Sequence, residues 1–484
     1  MNRVRRRKGG KDYDKKYWLS NYQSKRVRNK DYALSEQLLG KYNRDGYITN
    51  VMKYVNERTM LLATSAITID NDGRIGYDVD KAAGLDGISR STFNKEAYHN
   101  VKELIEQLRN GQYEVGTTRR VYIPKGHSSR KLRPLTIMNY KDQLVQKTIV
   151  NQILEDIMEE ELSDCIHSYR INRSVDTAIE NMRNICKHKE IRYAVKIDIK
   201  GYYDNVPIEE LIKELKHIIK DKVCVGVIRK ILYADCLVSK EELIKKAKSE
   251  GEDTSNITKG VILKTTKGIQ QGSVIGPYLA NFFMDRLIAK WIDKEVYPVI
   301  YGDDIVVLTR ELKQAEVTKK LVEERLKEYG LIMSPEKSKI IDLNKDTFEF
   351  LGREIRIIGE EVDVFIPESK IDESKIEIKE LINKARYDNI REKVNTHIYG
   401  SVYQWKWYYQ DYIWWLNDTL CGKYRTYSKC INKYTLKELY DYACELVSQQ
   451  WSDSGRVDND TIKNLINHII SPLDNDIMNL KNRK

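Results

Sequence analysis

Three aspartates at the ends of two predicted strands are the side chains in this chain best placed to do chemistry. Asp303 and Asp304 follow Tyr301-Gly302 at the tip of a predicted hairpin, and Asp198 lies in a β-forming segment at 193–199. Adjacent ionised carboxylates repel each other, so exposing them together is explained if they bind a divalent cation. Three carboxylates from neighbouring strand ends can hold two Mg²⁺ ions roughly 3.5–4 Å apart and support an in-line phosphoryl transfer.

The same residue types also have ordinary conformational uses. Asp and Gly are frequent in turns because they tolerate the backbone angles that turns require. An Asp that follows an apolar run often caps the next helix. Residues 301–304 alone therefore leave both interpretations open, and the order of the motifs around them decides.

The composition indicates a large globular protein with several lobes. The chain has 484 residues, of which 41% are hydrophobic and 32% are charged. No apolar run approaches the roughly 20 residues that a membrane span needs, and no apolar segment follows the basic start of the chain, as a signal peptide requires. The seven cysteines and seven histidines lack zinc-binding spacing. We therefore expect a cytoplasmic protein without membrane contact or structural zinc.

Most of the net charge of +11 comes from the start of the chain. Residues 1–30 contain twelve Lys or Arg and two Asp, with aromatic residues such as Tyr17 and Trp18 between them. Such clusters of basic residues bind nucleic acid favourably because they neutralise its phosphates, and the aromatic rings could stack on bases. The pattern favours a nucleic-acid-binding arm over the alternative, a disordered solubilising tail.

The predicted elements that position the aspartates are short strands set among helices. A basic hairpin is predicted from the runs 119–125 and 131–137, with its turn at 126–129, and residues 238–266 are predicted to form a charged surface insert. The spacing predicts strands at 193–199, 299–308, 338–343 and 347–357, and helices over most of 31–85 and at 95–112, 140–160, 274–292, 311–329 and from 368 onward.

Eight short motifs follow one another in order through the middle of the chain. They are Arg119-Arg120-Val121-Tyr122-Ile123-Pro124-Lys125, Arg133-Pro134-Leu135, Asp198-Ile199-Lys200-Gly201-Tyr202-Tyr203-Asp204, Gly268-Ile269-Gln270-Gln271-Gly272-Ser273, Leu279-Ala280-Asn281, Tyr301-Gly302-Asp303-Asp304, Ser334-Pro335-Glu336-Lys337-Ser338 and Phe350-Leu351-Gly352. In this order the stretch of roughly 80–360 resembles the bacterial reverse transcriptases related to group II intron-encoded enzymes.

The resemblance implies a metal site and a catalytic role for the three aspartates. Asp198 and Asp303 would bind both metal ions, Asp304 would assist them, and the backbone carbonyl of Ile199 would supply a further oxygen ligand. The implied cofactor is a pair of Mg²⁺ ions, with Mn²⁺ as an alternative.

The resemblance also implies a nucleotide-binding set. Lys125 and Arg133 match finger residues that close over the incoming triphosphate, and Gln271 matches a glutamine that contacts nucleotide and template. Tyr203 matches an aromatic ring that excludes a 2′-hydroxyl, although a buried core tyrosine is the alternative. Lys337 matches a lysine that follows the palm hairpin, and a surface role is the alternative there.

Three departures from the family pattern affect the interpretation. Gln270 stands where the family usually has Pro, and Ser168-Tyr169-Arg170-Ile171-Asn172-Arg173-Ser174 lacks the family's Gly and Pro near the template channel. The insert at 238–266 is longer than usual. Beyond residue 360 no His-Asn-His nuclease pattern occurs, which argues against a target-cleaving retroelement.

The implied fold is α+β, a right-hand polymerase with fingers, palm and thumb. We expect an arm and helical extension at 1–80, fingers and palm at 81–360, and a helical thumb at 361–484. The aromatic-rich segment 403–415 is expected in the packed core of the thumb, with contact to a template–primer duplex as the alternative.

The expected function is RNA-directed DNA polymerisation from deoxynucleoside triphosphates. The expected partners are an RNA template, which would be a cognate non-coding RNA in antiviral defence, and the cDNA product. Homo-oligomerisation stays open. The rivals are a nuclease-lacking intron-encoded reverse transcriptase and maturase, an RNA-dependent RNA polymerase, and a non-enzymatic RNA-binding scaffold.

Overall fold

The computed structural model describes residues 31–64, 67–69, 75–77, 82–125, 131–384 and 416–453. The helices are α1 (Tyr32–Asp45), α2 (Glu57–Ala63), α3 (Arg90–Asn94), α4 (Ala97–Arg109), α5 (Tyr140–Ile149), α6 (Glu155–Glu161), α7 (Val175–Lys189), α8 (Tyr202–Asn205), α9 (Ile208–Ile218), α10 (Lys222–Leu232), α11 (Lys240–Glu250), α12 (Gly276–Met284), α13 (Leu312–Glu328), α14 (Glu368–Lys384) and α15 (Leu436–Asp453), with a further helical stretch at 416–427. The basic arm and the aromatic-rich segment 403–415 lie outside the described residues.

The strands form four sheets. They are β1 (Ile67–Ile69), β2 (Ile75–Tyr77), β3 (Thr118–Pro124), β4 (Leu132–Ile137), β5 (Tyr193–Asp198), β6 (Cys236–Val238), β7 (Val261–Leu263), β8 (Tyr297–Tyr301), β9 (Asp304–Thr309), β10 (Lys339–Asp342), β11 (Phe348–Phe350), β12 (Arg353–Ile358) and β13 (Glu361–Phe365). Among the described residues, no helix is long and apolar enough to span a membrane.

The central sheet is antiparallel, in the order β10-β5-β9-β8. Its middle strand β9 is apolar along its length because both of its faces are buried. Ile305 and Val307 belong to one hydrophobic core, and Val306 and Leu308 belong to a second core. Burial on both faces explains why the sequence runs apolar here instead of alternating.

The second four-stranded sheet corrects the expectation for the charged insert. Its order is β4-β3-β6-β7, with β6 parallel to β3 and β7 antiparallel to β6. The insert thus lies at the surface, as predicted, but it extends the sheet of the basic hairpin. Helix α11 is tied to that hairpin, because Tyr122 N donates to Glu242 Oε2 at 2.7 Å and Lys245 Nζ donates to Tyr122 O.

The remaining sheets refine two other expectations. Strands β1 and β2 pair within the stretch 31–85, so that stretch is not helical throughout. The predicted strand at 347–357 is two strands, β11 and β12, which reverse at Leu351 and Gly352, both with positive φ. Strand β13 pairs with β12 across residues 359–360.

A short segment before α7 extends the central sheet beside β8. Ile300 N donates to Cys165 O at 2.8 Å, and His167 N donates to Ile300 O at 2.9 Å. The His167 ring is buried and contacts Thr177 Oγ1 and Asn181 Nδ2 on helix α7 at 3.0 and 3.2 Å. This histidine therefore joins the sheet to the helix that covers it.

Burial of His167 predicts acid sensitivity of this junction. Burial, with nearby Arg173 and Arg170, lowers the pKa of His167 from 6.5 to about 4. Between these values the unfolded chain binds a proton that the folded protein excludes. The free energy of unfolding should therefore fall as the pH drops from 6.5 to 4, by up to about 3 kcal/mol.

Urea denaturation at pH 7 and pH 4.5 measures this effect in wild type, His167→Asn and the exposed-site control His99→Gln. The His167→Asn protein should lose less stability on acidification than wild type, and the control should follow wild type. An equal loss in wild type and His167→Asn would contradict the assignment.

Candidate active site

The hairpin that carries two of the predicted carboxylates has a two-residue turn. Tyr301 pairs with Asp304 across β8 and β9, which leaves Gly302 and Asp303 at the tip. Gly302 has φ +66°, a value that a first turn residue in such a hairpin needs and that glycine adopts without a steric penalty. Asp303 is exposed at the tip, and Asp304 is half-buried at the start of β9.

The structure brings Asp198 next to this tip. Asp198 is the direct cross-strand partner of Asp304 in the β5–β9 pair, so the two side chains share one face of the sheet with Cβ atoms about 4.5–5.5 Å apart. Burial, followed by the charges of Asp303 and Asp198, raises the pKa of Asp304 to about 6. Crowded carboxylates that resist ionisation are typical of sites that bind a cation.

A buried pair of polar side chains holds the tip from below. Gly302 N donates to Ser168 Oγ at 2.8 Å, and Ser168 Oγ donates to Asn281 Oδ1 at 2.7 Å. Asn281 Nδ2 donates in turn to Ser168 O at 2.5 Å. Both side chains are almost fully buried, so the network fixes the turn without using the carboxylates.

A second set of contacts holds Asp198. Its backbone N donates to Ser338 Oγ at 3.0 Å, and its carbonyl accepts from Ser334 N at 2.8 Å. Lys337 Nζ lies 3.2 Å from Asp198 Oδ1. The structure therefore places the predicted Lys337 directly at the carboxylate group.

The Ile199 carbonyl is positioned as a backbone oxygen donor beside Asp198. Ile199 lies in an isolated antiparallel bridge whose hydrogen bonds belong to its neighbours. They run from Lys200 N to Ile332 O at 2.9 Å and from Ser334 N to Asp198 O at 2.8 Å. The Ile199 carbonyl therefore takes no part in the hydrogen bonds of this bridge.

These oxygens have the donor chemistry that Mg²⁺ prefers. Among the described residues, no three His, Cys, Asp or Glu side chains form a ready-made metal cluster. Asp198 and Asp304 nevertheless share one face, and Asp303 lies at the adjacent tip. A bound cation would relieve the charge repulsion that adds to burial in raising the pKa of Asp304. The residues therefore fit divalent metal ions.

Tyr203 lies in the one-turn helix α8, which follows β5 close to the tip. Its ring is partly buried, and burial together with the charges of Tyr169 and Asp303 raises its pKa above the ordinary value. It packs edge-on against Tyr202, with ring centroids 6.0 Å apart, and the Tyr202 hydroxyl donates to Ala280 O. Tyr202 is the core tyrosine of this pair, and Tyr203 is the one that faces the site.

The loop that contains Gln271 docks on this same short helix. Ile269 N donates to Tyr203 O at 2.6 Å. Gly268 has φ +87°, and a Cβ there would lie 2.6 Å from Asp204 O, so only glycine fits. Gln271 O accepts from Thr136 N on β4 at 2.7 Å, which joins the loop to the β4-β3-β6-β7 sheet of the basic hairpin, which we call the fingers sheet.

Gln270, which replaces the family's proline, has a structural role. Its side chain is buried, with Nε2 donating to Ala234 O at 2.6 Å and Oε1 accepting from Thr118 Oγ1 at 3.2 Å. The glutamine therefore ties the loop to the strand β3 and to the residues before β6.

The other two predicted nucleotide-binding residues lie on the basic hairpin. Lys125 follows β3, and its backbone N donates to Lys131 O at 2.9 Å, while Arg133 pairs with Ile123. Both side chains are exposed. The structure thus brings together Asp198, the 303–304 tip, Tyr203 and Lys337, and places Lys125 and Arg133 on a separate sheet.

Sequence reasoning assigned no role to Ser168, Asn281 or Ser338. Ser168 and Asn281 lie within quoted motifs, but their contacts with each other and with Gly302 join positions more than a hundred residues apart. One unusual residue next to them is Tyr169, an exposed tyrosine with φ +50°.

The comparison with protein families decides what this arrangement is. Residues 123–355, which include all three aspartates, match the family described as reverse transcriptase (RNA-dependent DNA polymerase). These residues form a reverse transcriptase domain. The resemblance to group II intron-like reverse transcriptases and the α+β right-hand fold are thereby confirmed.

Two curated relatives and one solved structure show how far the similarity of this reverse transcriptase domain extends. Group II intron-encoded protein LtrA of Lactococcus lactis subsp. cremoris is 31% identical over 208 residues, 43% of this chain and 31% of LtrA. Protein YkfC of Escherichia coli strain K12 is 25% identical over 242 residues, 49% of this chain and 56% of YkfC. The chain thus spans about a third of LtrA and just over half of YkfC.

The solved structure is that of telomerase from Candida albicans in complex with a fragment of telomeric RNA. It aligns with 85% of this chain and 72% of that chain, at 13% identity and a TM-score of 0.40.

The Ser168 network predicts a coupled loss of stability in the reverse transcriptase domain. Ser168→Ala leaves the Gly302 N–H and the Oδ1 atom of Asn281 without their buried partner, so the free energy of unfolding should fall by about 1–3 kcal/mol. Asn281→Ala should have a similar effect.

Urea denaturation of both single variants and of the double variant measures the coupling. The double variant should lose less than the sum of the two single losses, because each change removes the same network. Hydrogen exchange at the Gly302 amide should accelerate in Ser168→Ala. Additive losses with unchanged exchange at Gly302 would show that the network does not hold the tip.

Proposed function

We propose that the protein is an RNA-directed DNA polymerase that extends a primer with deoxynucleoside triphosphates. One observation carries the proposal: within a reverse transcriptase domain, Asp198 is the cross-strand partner of Asp304 and lies beside the Asp303 tip. This juxtaposition is what a two-metal phosphoryl transfer requires.

The three carboxylates and the Ile199 carbonyl would hold two Mg²⁺ ions, with Mn²⁺ as an alternative. When bound, such ions lower the pKa of a primer 3′-hydroxyl and neutralise the triphosphate. Lys337, at 3.2 Å from Asp198, keeps a positive charge beside the reacting phosphates. By fixing Gly302, the Ser168 network would hold the turn that carries Asp303 and Asp304 in place beside Asp198.

The remaining residues bind and select the nucleotide. The Tyr203 ring, next to the tip, would contact the face of the sugar where a ribonucleotide carries its 2′-hydroxyl. Gln271, whose backbone joins palm and fingers, would contact the base pair being formed. Lys125 and Arg133 would close over the triphosphate, Arg133 as a bidentate partner and Lys125 as a point charge.

The biological template is the finer part of the proposal. We infer a dedicated non-coding RNA copied in cytoplasmic antiviral defence, with an intron RNA as the alternative, which the intron-encoded relative LtrA favours. Sequencing the nucleic acid that co-purifies with the protein tests this. Recovery of an intron RNA that encodes the protein would decide for the alternative.

Replacement of a tip carboxylate should abolish polymerisation without unfolding the protein. Asp303→Asn keeps the shape of the side chain but removes a metal-binding charge, so nucleotide incorporation should fall by about a thousand-fold or more. The assay is primer extension on an RNA template with Mg²⁺, alongside RNA affinity and thermal unfolding.

The matched control is Asp346→Asn, an exposed aspartate on the surface turn before β11. It should retain wild-type activity, and both variants should bind RNA as wild type does. Full activity in a double variant Asp303→Ala and Asp304→Ala would overturn the enzymatic proposal and leave an RNA-binding scaffold.

Removal of the Tyr203 ring should relax sugar selection. Wild type should prefer deoxynucleotides, and Tyr203→Ala should incorporate ribonucleotides about 10- to 100-fold more readily relative to deoxynucleotides, because the group that excludes the 2′-hydroxyl is gone. Tyr203→Phe keeps the ring and should keep the preference. A wild-type preference for ribonucleotides would instead indicate an RNA-dependent RNA polymerase.

A further inference from the structure

A groove of about 640 Å³ separates the basic hairpin from the folded insert. One wall comes from β3 and β4, including Arg120 and Pro134, and the other comes from α11 and the residues after β7. The groove exists because the insert extends the fingers sheet, so its outer wall belongs to the segment that is longer than the family pattern.

The groove is strongly positive. Six cationic side chains line it, against two carboxylates, Asp204 and Glu250. The cations are Arg120, Lys125, Lys131, Lys246, Lys264 and Lys267. Clefts lined by charges of one sign concentrate counter-ions of the opposite sign.

Two of these cations are not fully paired with other groups of the described protein. Lys267 is exposed and forms no ion pair with any residue that the structure describes. The Nε atom of Arg120 is buried and has no hydrogen-bond partner among the described residues. The exposed charge of Lys267 is therefore available to an anionic ligand in the groove.

The inner end of the groove is lined by the loop that docks on the residue Tyr203 of the candidate active site. Its lining includes Asp204 and the loop 268–270, whose Ile269 N donates to Tyr203 O at 2.6 Å. It also includes Lys125, one of the predicted triphosphate-binding residues. A polyphosphate bound in the groove would therefore lie next to Lys125 and to the loop that docks on Tyr203.

We propose that Lys246, Lys264 and Lys267 form an outer binding site for the triphosphate of the incoming nucleotide. The three lysines hold the polyphosphate in the groove before it reaches Lys125 and the catalytic carboxylates. This inference rests on the proposed polymerase function and adds a step of nucleotide capture by the insert.

The chemistry of the lining favours a triphosphate over an RNA strand. Sites for single-stranded nucleic acid combine cations with exposed rings on which bases stack. The aromatic side chain in this lining is Tyr122, which is only 7% exposed. Among the residues that the structure describes, the groove therefore offers phosphate contacts without an exposed ring for stacking.

A pair of variants with equal loss of charge tests the proposal. Lys246→Gln with Lys267→Gln removes two cations from the groove. The matched control, Lys248→Gln with Lys259→Gln, removes two exposed cations of the insert that do not line the groove. Steady-state primer extension gives kcat and KM for the nucleotide, and fluorescence anisotropy gives the Kd for template RNA.

The groove variant should raise the KM for nucleotide by about five-fold, with kcat changed less than two-fold and RNA affinity unchanged. The difference from wild type should shrink at high salt, because exposed charges are screened. The control variant should match wild type in all three quantities. An unchanged KM, or a loss of RNA affinity equal to the rise in KM, would overturn the proposal, and the second result would assign the groove to RNA.

Binding of inorganic tripolyphosphate, measured by calorimetry without template, separates this inference from the proposed function. If wild type incorporates no nucleotide, the polymerase proposal fails. Tripolyphosphate binding that weakens about five-fold in the groove variant alone would still support an outer polyphosphate site. Equal binding by both variants and wild type would refute it.

Discussion

The pairing of β5 with β9 is the constraint on which the rest of the structure depends. It places Asp198 opposite Asp304 on one face of the sheet, although like charges in that relation destabilise a sheet. The strands stay in register because β9 is buried on both faces, in two separate cores. Because the two strands cannot move apart, the repulsion between Asp198 and Asp304 is not relieved by the protein itself. The repulsion therefore favours the binding of a cation between the carboxylates.

The backbone around the carboxylates is held by neighbours from three distant parts of the chain. Ser168 fixes Gly302, Ser338 and Ser334 fix the backbone of Asp198, and the loop at 268–273 docks on the short helix that carries Tyr203. Most of these contacts are made through backbone groups. The fold therefore positions the acidic side chains mainly through their backbone. Apart from the ion pair between Lys337 and Asp198, their carboxylate oxygens remain available to bind metal ions.

The sequence was enough to predict the features that depend on local patterns. The apolar run of β9, the two-residue tip and the segment ending at Asp198 are visible because strand burial and turn geometry act over a few residues. The Ser168–Asn281 contact was not predictable, since it joins residues 113 positions apart. The parallel pairing of β6 with β3 was missed for the same reason, and a charged insert that forms sheet pairs looks like a surface loop in its composition.

The role of Gln270 shows why a motif departure need not mean a lost function. A proline at this position would stiffen the turn through its ring, whereas Gln270 uses two side-chain hydrogen bonds to Ala234 and Thr118. Those partners lie where the insert joins the fingers sheet. The glutamine therefore connects the loop that docks on Tyr203 to the insert that builds the groove, and a change in one would be transmitted to the other. In this chain, the longer insert and the missing proline are two parts of one structural arrangement.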